Sequence, residues 1–178
     1  MEWQVLNSTY ALKHRWIKVR RDECLLPNGV IIDDYFWLET PDNTLIVALT
    51  AQQEVVLTRQ YKHAARAILL EFPGGVVDEG EQPFHGAQRE LREETGYGGG
   101  QWQCLGKFYA NPTKSSAQTH LYLAQDVQML GATQWDVTEC IEVVCQPWRA
   151  LSPMDFGMTG SALALALVQQ QLAKATEA

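Results

Sequence analysis

The sequence predicts an α+β fold, which includes a layered αβα arrangement, with antiparallel strands near the N-terminus. Short runs rich in Val, Ile, Leu and aromatic residues, separated by Pro, Asn, Gly and Asp, dominate the first seventy residues and return after residue 100. A helical period replaces them from residue 82 and again near the C-terminus. The 178 residues, 46% of them hydrophobic, can bury one core, so we expect a single domain over residues 1–178.

The predicted elements follow one another in a simple order. The first strands lie at residues 16–20, 34–38, 45–50 and 54–61, with turns at 27–29 and 41–43. A helix should begin at Gln82, because the missing N–H of Pro83 would be unpaired in a first turn anyway, and should end at Gly96. Strands resume at 102–109, 120–124 and 141–146, and a last helix spans residues 160–174.

Composition excludes several classes of partner and location. A net charge of -7 argues against extended nucleic acid, whose binding depends on clustered Lys and Arg. Residues 1–10 lack the basic and apolar regions of a secretory signal, and no window is apolar enough for a membrane span. The four cysteines show no CxxC spacing: Cys24, Cys104, Cys140 and Cys145. We therefore expect a cytoplasmic protein with reduced thiols, no membrane association and no zinc site.

The helix predicted from residue 82 carries three carboxylates on one face. At about 100° per residue, Glu90, Glu93 and Glu94 lie side by side. An adjacent apolar stripe lets the helix pack on a sheet: Phe84, Ala87 and Leu91. Like charges at this spacing repel, and a divalent cation would convert that repulsion into binding. Because the ligands are oxygens without His or Cys, Mg²⁺ is favoured, with Mn²⁺ as a substitute.

A simpler interpretation of this face is an ordinary solvated helix. In that case Arg89 and Glu93 would form an i,i+4 ion pair with no further role. The residues upstream favour the metal site instead. Gly74 and Gly75 precede the acidic stretch at 78–81, and glycines allow backbone carbonyls to come close to a bound ion.

Residues 75–97 resemble the Nudix box, G-x5-E-x7-R-E-U-x-E-E-x-G-U, where U is a bulky hydrophobic residue. Every fixed position is matched, by Gly75, Glu81, Arg89, Glu90, Leu91, Glu93, Glu94, Gly96 and Tyr97. Tyr97 stands where the family more often has an aliphatic residue. The resemblance implies the Nudix fold, a mixed β-sheet sandwiched between α-helices. It also implies hydrolysis of a nucleoside diphosphate linked to a group X, giving a nucleoside monophosphate and a phosphorylated X.

The same resemblance implies roles for individual residues. Glu90 and Glu94 would be the main Mg²⁺ ligands, with the carbonyl oxygen of Gly74 as a further one. Glu93 would bind another metal ion or orient water. Arg89 would pair with a box glutamate such as Glu81 or Glu93 and fix its rotamer. Metal ions in such a site neutralise developing charge and activate water for in-line attack on the diphosphate.

Residues outside the box resemble the ADP-ribose and sugar-nucleotide pyrophosphatase branch of this family. Residues 58–62 read TRQYK and residues 71–75 read EFPGG, similar to the RQYR and ExPAG patterns of that branch. By this likeness Lys62 or Arg59 would contact phosphate, and Glu71 a ribose or metal-bound water. Lys62 replaces a more usual arginine and offers a point charge instead of a bidentate fork. The alternative is that Arg59 and Lys62 lie at a solvated strand end and do not contact the substrate.

The N-terminal region, residues 1–42, resembles the strands that build dimers in this branch. The resemblance implies a homodimer. Trp16 lies beside a basic stretch and has two interpretations. It would stack on the adenine of the substrate, as N-terminal aromatic residues do in such dimers, or it would pack in the core, which is the commoner place for a tryptophan.

A general base in this branch often comes from a loop between the box and the last helix. The acidic residues of residues 132–139 are Asp136 and Glu139, and we favour Glu139 because it directly precedes the strand predicted at 141–146. The alternative is an exposed acidic loop without a catalytic role. Neither His85 nor His120 has a Ser or Cys nucleophile pattern nearby, so we assign them no catalytic role.

The best interpretation is a Mg²⁺-dependent hydrolase of a small nucleoside diphosphate substrate, with ADP-ribose converted to AMP and ribose 5-phosphate. Three alternatives stay open. The first is a Nudix hydrolase of another sugar nucleotide, a dinucleoside polyphosphate or an oxidised nucleotide. The second is a non-catalytic nucleotide sensor, although such domains typically lose a box glutamate and this chain keeps all of them. The third, an isomerase on the same fold, needs a cysteine and extra metal-binding histidines that the sequence does not place.

Overall fold

The chain forms two compact units in a computed structural model, which describes the backbone of residues 1–177 and the side chains of residues 1–174. The first unit comprises Met1–Asp42 together with Tyr109–Gln118. The second comprises Asn43–Phe108 together with Thr119–Ala178. The assignment of the whole chain to one domain stays a prediction.

The first unit is built on a three-stranded antiparallel sheet. Its strands are β1 (Gln4–His14), β2 (Ile17–Leu25) and β3 (Ile31–Leu38), in the order β1-β2-β3. The end of β3 also pairs with the 109–118 segment, since the Leu38 N–H donates to the Lys114 carbonyl at 2.7 Å and the Leu38 carbonyl accepts from Ser116 at 3.2 Å. The predicted antiparallel strands near the N-terminus are therefore confirmed.

The second unit contains a mixed seven-stranded sheet. Its strands are β4 (Asn43–Thr50), β5 (Glu54–Lys62), β6 (Ala67–Glu71), β7 (Tyr97–Gly98), β8 (Gln101–Tyr109), β9 (Gln118–Met129) and β10 (Ile141–Pro147). The central path runs β10-β5-β4-β9-β7, while β6 pairs with β5 and β8 pairs with β9. The sheet is mixed because β4 pairs in parallel with β9 but antiparallel with β5.

Two helices cover the two faces of this sheet. They are α1 (Pro83–Thr95) and α2 (Thr159–Glu177). Successive side chains of a strand point to opposite faces, so Ile46 of β4 joins the buried cluster that contains Leu91 of α1. Its neighbour Val47 joins the cluster that contains Leu165 of α2. A strand buried on both faces needs a continuous apolar run, which residues 45–49 supply. The αβα layers and the α+β class are confirmed.

The boundaries of α1 agree with the prediction. Gln82 is the N-cap, Pro83 occupies the first turn, and Gly96 is the C-cap, whose N–H donates to the Arg92 carbonyl. The Gly96 backbone is left-handed, with φ at 76°, which is a common way to end a helix. The second helix is longer than predicted, since α2 includes residues 159–177 and not only 160–174.

Three strands have no counterpart in the sequence-based prediction: β1, β6 and β7. Two irregularities in pairing interrupt β1, so its apolar residues do not alternate regularly. The strand β6 is a five-residue run whose period does not distinguish strand from helix. The predicted turn at 41–43 is wrong at its last residue, because Asn43 begins β4, and the strand predicted from Trp16 begins one residue later, at Ile17.

The connection from β10 to α2 contains two short 3₁₀ helices, Trp148–Ala150 and Pro153–Asp155. A capping box begins the second 3₁₀ helix: the Ser152 hydroxyl accepts from a backbone N–H, and the Asp155 carboxylate accepts from the Ser152 N–H. Across residues 1–177, none of the helices combines the length and the apolar character needed to cross a lipid bilayer.

Candidate active site

The acidic face of α1 lies at the edge of the buried core. Glu90, Glu93 and Glu94 follow one side of the helix, next to the buried side that carries Leu91. The side-chain exposure is 39% for Glu93 and 14% for Glu90, and Glu94 is 8% exposed as a residue. Two of the three carboxylates, those of Glu90 and Glu94, are thus largely removed from bulk water. Charged groups in buried positions are rarely left without a partner.

A short extended segment beside β4 faces these carboxylates. The Thr44 N–H donates to the Gly75 carbonyl at 2.8 Å, and the Ile46 N–H donates to the Pro73 carbonyl at 2.9 Å. Between them, the Gly74 N–H points the other way and donates to Oε2 of Glu94 at 2.9 Å. Because backbone groups of an extended chain alternate in direction, the Gly74 carbonyl is also directed away from β4, on the side of Glu94.

Close contacts require a glycine at position 74, and a side chain at position 75 would displace the Glu90 carboxylate. A Cβ atom on Gly74 would lie 2.1 Å from the Thr44 carbonyl oxygen, and its φ of 155° is a conformation that L side chains rarely adopt. A Cβ atom on Gly75 would lie 2.5 Å from the carboxyl carbon of Glu90. The absence of side chains at both positions therefore lets the backbone pack directly against two box glutamates.

Arg89 holds the remaining glutamates of the box in place. Its Nε donates to Oε1 of Glu81 at 3.1 Å, and its Nη1 donates to Glu90 at 2.8 Å and Glu93 at 3.0 Å. Its Nη2 donates to the Val76 carbonyl at 2.9 Å and to Oε2 of Glu81 at 3.0 Å. All five guanidinium N–H groups are engaged. Both predicted partners, Glu81 and Glu93, are bound by Arg89, which also binds Glu90.

The charges of this cluster shift its pKa values in a consistent way. The hydrogen bond from Arg89 lowers the pKa of Glu81, and the carboxylates raise the pKa of Arg89. Burial raises the pKa of Glu90, an effect that Arg89 opposes and that Glu93 and Glu139 increase. Arg89 is shared by the three carboxylates of Glu81, Glu90 and Glu93, and Glu94 adds a fourth nearby, so the cluster has an excess of negative charge.

Glu94 shows the strongest effect of burial. Its pKa is raised to about 8, mainly because burial disfavours the charged form. The Gly74 N–H opposes the shift, the charges of Glu90 and Glu139 add to it, and the charge of Lys62 opposes it. A cation beside Glu94 would favour the charged form of its carboxyl group over the protonated form.

The donor chemistry of the cluster fits a hard divalent cation. Its available ligands are carboxylate oxygens and one backbone carbonyl, without His or Cys. Among the described residues, no three His, Cys, Asp or Glu side chains already stand in the arrangement of a metal's ligands. Arg89 holds Oε1 of Glu90 and Oε2 of Glu93, and the Gly74 N–H holds Oε2 of Glu94. Each carboxylate has a second oxygen that can bind a cation while these hydrogen bonds keep its rotamer.

Glu71 and Lys62 lie beside this cluster. Glu71, at the end of β6, is buried, and its Oε1 lies 3.2 Å from Nζ of Lys62 without accepting a hydrogen bond from the described residues. Lys62 directs its hydrogen bond to Oε1 of Gln60 at 2.6 Å. Burial raises the pKa of Glu71, and the charge of Lys62 opposes the shift. The charge of Lys62 also opposes the rise in the pKa of Glu94. Two of the four predicted substrate-binding residues, Lys62 and Glu71, are thus paired with each other.

Arg59 is engaged elsewhere on the sheet. It faces Glu142 across the β5–β10 pairing, and its Nη1 lies 2.9 Å from Oε2 of that residue, with both side chains exposed. An exposed ion pair of this kind contributes little to stability. The partner was not predicted, because it depends on the register between two strands, in which the paired Arg59 and Glu142 are 83 positions apart in the chain. A phosphate-binding role for Arg59 stays a prediction.

Trp16 is not a core residue. It lies in the turn between β1 and β2 and is 78% exposed, with the Arg15 guanidinium carbon 5.0 Å from the centre of its ring. The core-packing alternative is therefore wrong for this chain, since the turn leaves most of Trp16 exposed. Stacking of Trp16 on the adenine of a substrate stays a prediction.

The loop that carries the predicted base is attached to the end of α1. The Gln134 N–H donates to the Glu93 carbonyl, and the Trp135 indole N–H donates to the Glu94 carbonyl, both at 2.8 Å. Glu139 exchanges two hydrogen bonds with Asp136, and its charge raises the pKa of Glu90 and Glu94. The structure thus places Glu139 near the box, whereas Asp136 is exposed.

Sequence reasoning did not identify Trp135 or the Glu93 and Glu94 carbonyls as the anchors of this loop. One signal was available. A tryptophan in an otherwise polar loop usually finds a hydrogen-bond acceptor for its N–H, and the unpaired carbonyls at the end of a helix are suitable acceptors. The partner itself depends on tertiary packing.

Comparison with known proteins agrees with this geometry. Residues 39–162 match the NUDIX domain, and residues 3–38 match the nucleoside diphosphate sugar hydrolase N-terminal domain. The chain is 30% identical over 144 residues to the methanol dehydrogenase activator of Bacillus methanolicus, covering 80% of this chain and 77% of that protein. It is 28% identical over 120 residues to the ADP-ribose pyrophosphatase of Bacillus subtilis (strain 168), covering 67% of this chain and 64% of that protein.

A solved structure has the same fold along almost the whole chain. It is a crystal structure of an ADP compounds hydrolase, with a TM-score of 0.85 and 26% sequence identity, covering 98% of this chain and 96% of that one. The match to the NUDIX domain includes more than half of the chain and contains the complete acidic cluster on α1. The chain therefore belongs to the Nudix family of pyrophosphohydrolases.

Proposed function

We propose that this enzyme hydrolyses the diphosphate bond of a nucleoside diphosphate linked to a sugar, with ADP-ribose converted to AMP and ribose 5-phosphate. The observation that carries the proposal is the excess of carboxylates packed against Gly74 and Gly75, with Lys62 and Glu71 beside them. The names of the relatives, an ADP-ribose pyrophosphatase and an ADP compounds hydrolase, support the substrate class.

We assign the metal site to Glu90, Glu94 and the Gly74 carbonyl, with Glu93 as a further ligand and Mg²⁺ as the ion. When bound, Mg²⁺ neutralises charge on the diphosphate and activates water for in-line attack. Arg89 positions the glutamates through its five hydrogen bonds. Because Arg89 hydrogen-bonds to Glu81, Glu90 and Glu93, these carboxylates are ordered before an ion binds.

The substrate-binding and proton-transfer roles fall to residues around this cluster. Lys62 or Arg59 contacts the phosphates, and Glu71, which pairs with Lys62 at 3.2 Å, contacts the ribose or a metal-bound water. Glu139 takes the proton from the attacking water, since its loop is hydrogen-bonded to the Glu93 and Glu94 carbonyls at the end of α1. Trp16, exposed in its turn, is available to stack on the adenine.

A substrate panel tests the proposal. AMP or other nucleoside monophosphate release is measured with ADP-ribose, ADP-glucose, GDP-mannose, a diadenosine polyphosphate and NADH, each with and without Mg²⁺. We expect turnover only with Mg²⁺ and the highest kcat/KM for ADP-ribose. A preference for another compound keeps the reaction and reassigns the substrate. Tight binding without turnover supports the nucleotide-sensor alternative and contradicts the proposal.

We also propose that the enzyme is a homodimer formed through the first unit. The strand β1 is an edge strand with exposed apolar residues, among them Val5, Leu6 and Leu12. An edge strand of this kind is a ready site for pairing with a second copy. The match of residues 3–38 to the N-terminal domain of nucleoside diphosphate sugar hydrolases supports this interpretation.

Sedimentation equilibrium measures the assembly directly. We expect about twice the 20.0 kDa chain mass for the natural protein. Leu12→Lys, which places a charge on β1, should shift the mass toward one chain. Met154→Lys makes the same kind of change at a residue that is 89% exposed in the second unit, and should leave the mass unchanged. A single-chain mass for the natural protein at every concentration excludes the dimer.

A further inference from the structure

The loop between β9 and β10 is attached to the end of α1 by three hydrogen bonds. The Leu130 N–H donates to the Gly96 carbonyl at 2.9 Å, and the Gln134 N–H donates to the Glu93 carbonyl at 2.8 Å. The third runs from the Trp135 indole N–H to the Glu94 carbonyl at 2.8 Å. The last carbonyls of a helix have no partner within the helix, so these contacts satisfy them from outside.

Trp135 is the side-chain member of this set. The residue is 42% exposed, whereas Trp148 is 5% exposed and packs in the core. Its indole N–H makes a directed hydrogen bond, which holds the partly exposed ring in one orientation. The acceptor is the backbone of Glu94, one of the residues assigned to the metal.

Trp135 is followed directly by the turn that contains the predicted base. The Asp136 N–H donates to Oε2 of Glu139, and the Glu139 N–H donates to the Asp136 carbonyl, both at 2.9 Å. These reciprocal bonds fix the Glu139 carboxylate relative to the start of the turn. Trp135 fixes the start of this turn to α1. A continuous set of contacts therefore connects the backbone of Glu94 to the carboxylate of Glu139.

We propose that Trp135 is a positioning residue, whose indole N–H bond to the Glu94 carbonyl holds the 136–139 turn so that Glu139 stands beside the box glutamates. This inference rests on the proposed hydrolase function and on Glu139 as its base. Attack on the diphosphate forms one P–O bond, breaks another, and releases a proton that Glu139 accepts. A carboxylate that is not held in the site accepts that proton less effectively. The expected effect is a lower kcat with unchanged substrate binding.

The test compares Trp135→Phe with Trp102→Phe. Both changes keep an aromatic ring and remove an indole N–H, and the Trp102 N–H also donates to a backbone carbonyl, that of Gly99, at 2.8 Å. We expect Trp135→Phe to lower kcat about fivefold with little change in KM, because it disturbs positioning without removing a reacting group. Trp102→Phe should keep the kcat of the natural enzyme. Equal losses in both variants contradict the inference.

Combination with Glu139→Gln separates positioning from other effects. Glu139→Gln alone should lower kcat at least about tenfold, with a smaller change in KM. In that background Trp135→Phe should cause no further loss, because the group that it positions is already disabled. The same fivefold loss in both backgrounds shows that Trp135 acts independently of Glu139 and overturns the inference. Full activity of Glu139→Gln overturns it as well, while leaving the proposed hydrolysis standing.

Amide hydrogen exchange gives a readout that needs no turnover. The Asp136 N–H is protected by its bond to Glu139, so loss of the Trp135 anchor should speed its exchange several-fold. Trp102→Phe should leave that rate unchanged. Unchanged exchange at Asp136 in Trp135→Phe overturns the inference whatever the substrate panel shows. Faster exchange supports positioning even when the panel contradicts the proposed hydrolase function, so the two failures are distinguishable.

Discussion

Glu94→Gln should lower turnover at least about a hundredfold while the chain stays folded, because the change removes a charged ligand from the proposed metal site. Glu94 is 8% exposed and accepts the Gly74 N–H at 2.9 Å. Glutamine keeps an oxygen that accepts this hydrogen bond, and its neutral side chain is less costly to bury than a carboxylate. The fold therefore loses little, whereas the cation loses one of its strongest ligands.

Two measurements check this outcome. Steady-state kinetics with saturating Mg²⁺ gives the loss of turnover, and thermal unfolding with and without Mg²⁺ shows whether the ion still stabilises the folded state. We expect Mg²⁺ to raise the Tm of the natural protein more than that of Glu94→Gln. Glu79→Gln removes the same charge from an exposed position within residues 75–97, before α1, and should behave like the natural protein. Near-normal turnover in Glu94→Gln would exclude Glu94 as a metal ligand.

The part of this site that lies on one helix was predictable from sequence. The period of α1 places Glu90, Glu93 and Glu94 on one side and Leu91 in the core, and both consequences depend only on residues within two turns. The depth of burial was not predictable. Glu94 lies on the acidic side of the helix, yet it is buried, because Gly74 and Gly75 let the backbone pack against it and Glu90.

Contacts between distant segments account for what sequence reasoning could not supply. The pairing of Arg59 with Glu142 follows from the register of β10 on β5, which is set by the packing of the whole sheet. The attachment of Trp135 to Glu94 follows from the path of a loop across the end of α1. Such contacts depend on tertiary structure, and no local period encodes them.

The fold class was predictable for a different reason. Apolar runs such as residues 45–49 identify a strand that is covered on both faces, and the two helices that cover it have clear boundaries. The strand β1 was not identified, because its residues are mostly exposed and its pairing is interrupted twice. Strands that bury little apolar surface within their own chain leave a weak periodic signal.

Arg89→Lys should lower kcat/KM about tenfold to a hundredfold, although it keeps the positive charge. The guanidinium uses all five N–H groups on Glu81, Glu90, Glu93 and the Val76 carbonyl. A lysine ammonium has three donors on one nitrogen and cannot reach all four partners from a single position. At least one glutamate then loses its fixed rotamer, and the metal must order that side chain when it binds.

The Mg²⁺ dependence of activity distinguishes this explanation from a general loss of charge. If Arg89 orders the glutamates, Arg89→Lys should need a higher Mg²⁺ concentration for half-maximal activity, since the ordering of the ligands then opposes binding. Arg92→Lys is the matched control, because Arg92 lies on the same helix, is exposed and contacts none of these carboxylates through a described hydrogen bond. An Arg89→Lys enzyme with natural activity and natural Mg²⁺ dependence shows that charge alone suffices at this position, and the five directed hydrogen bonds then have no part in ordering the site.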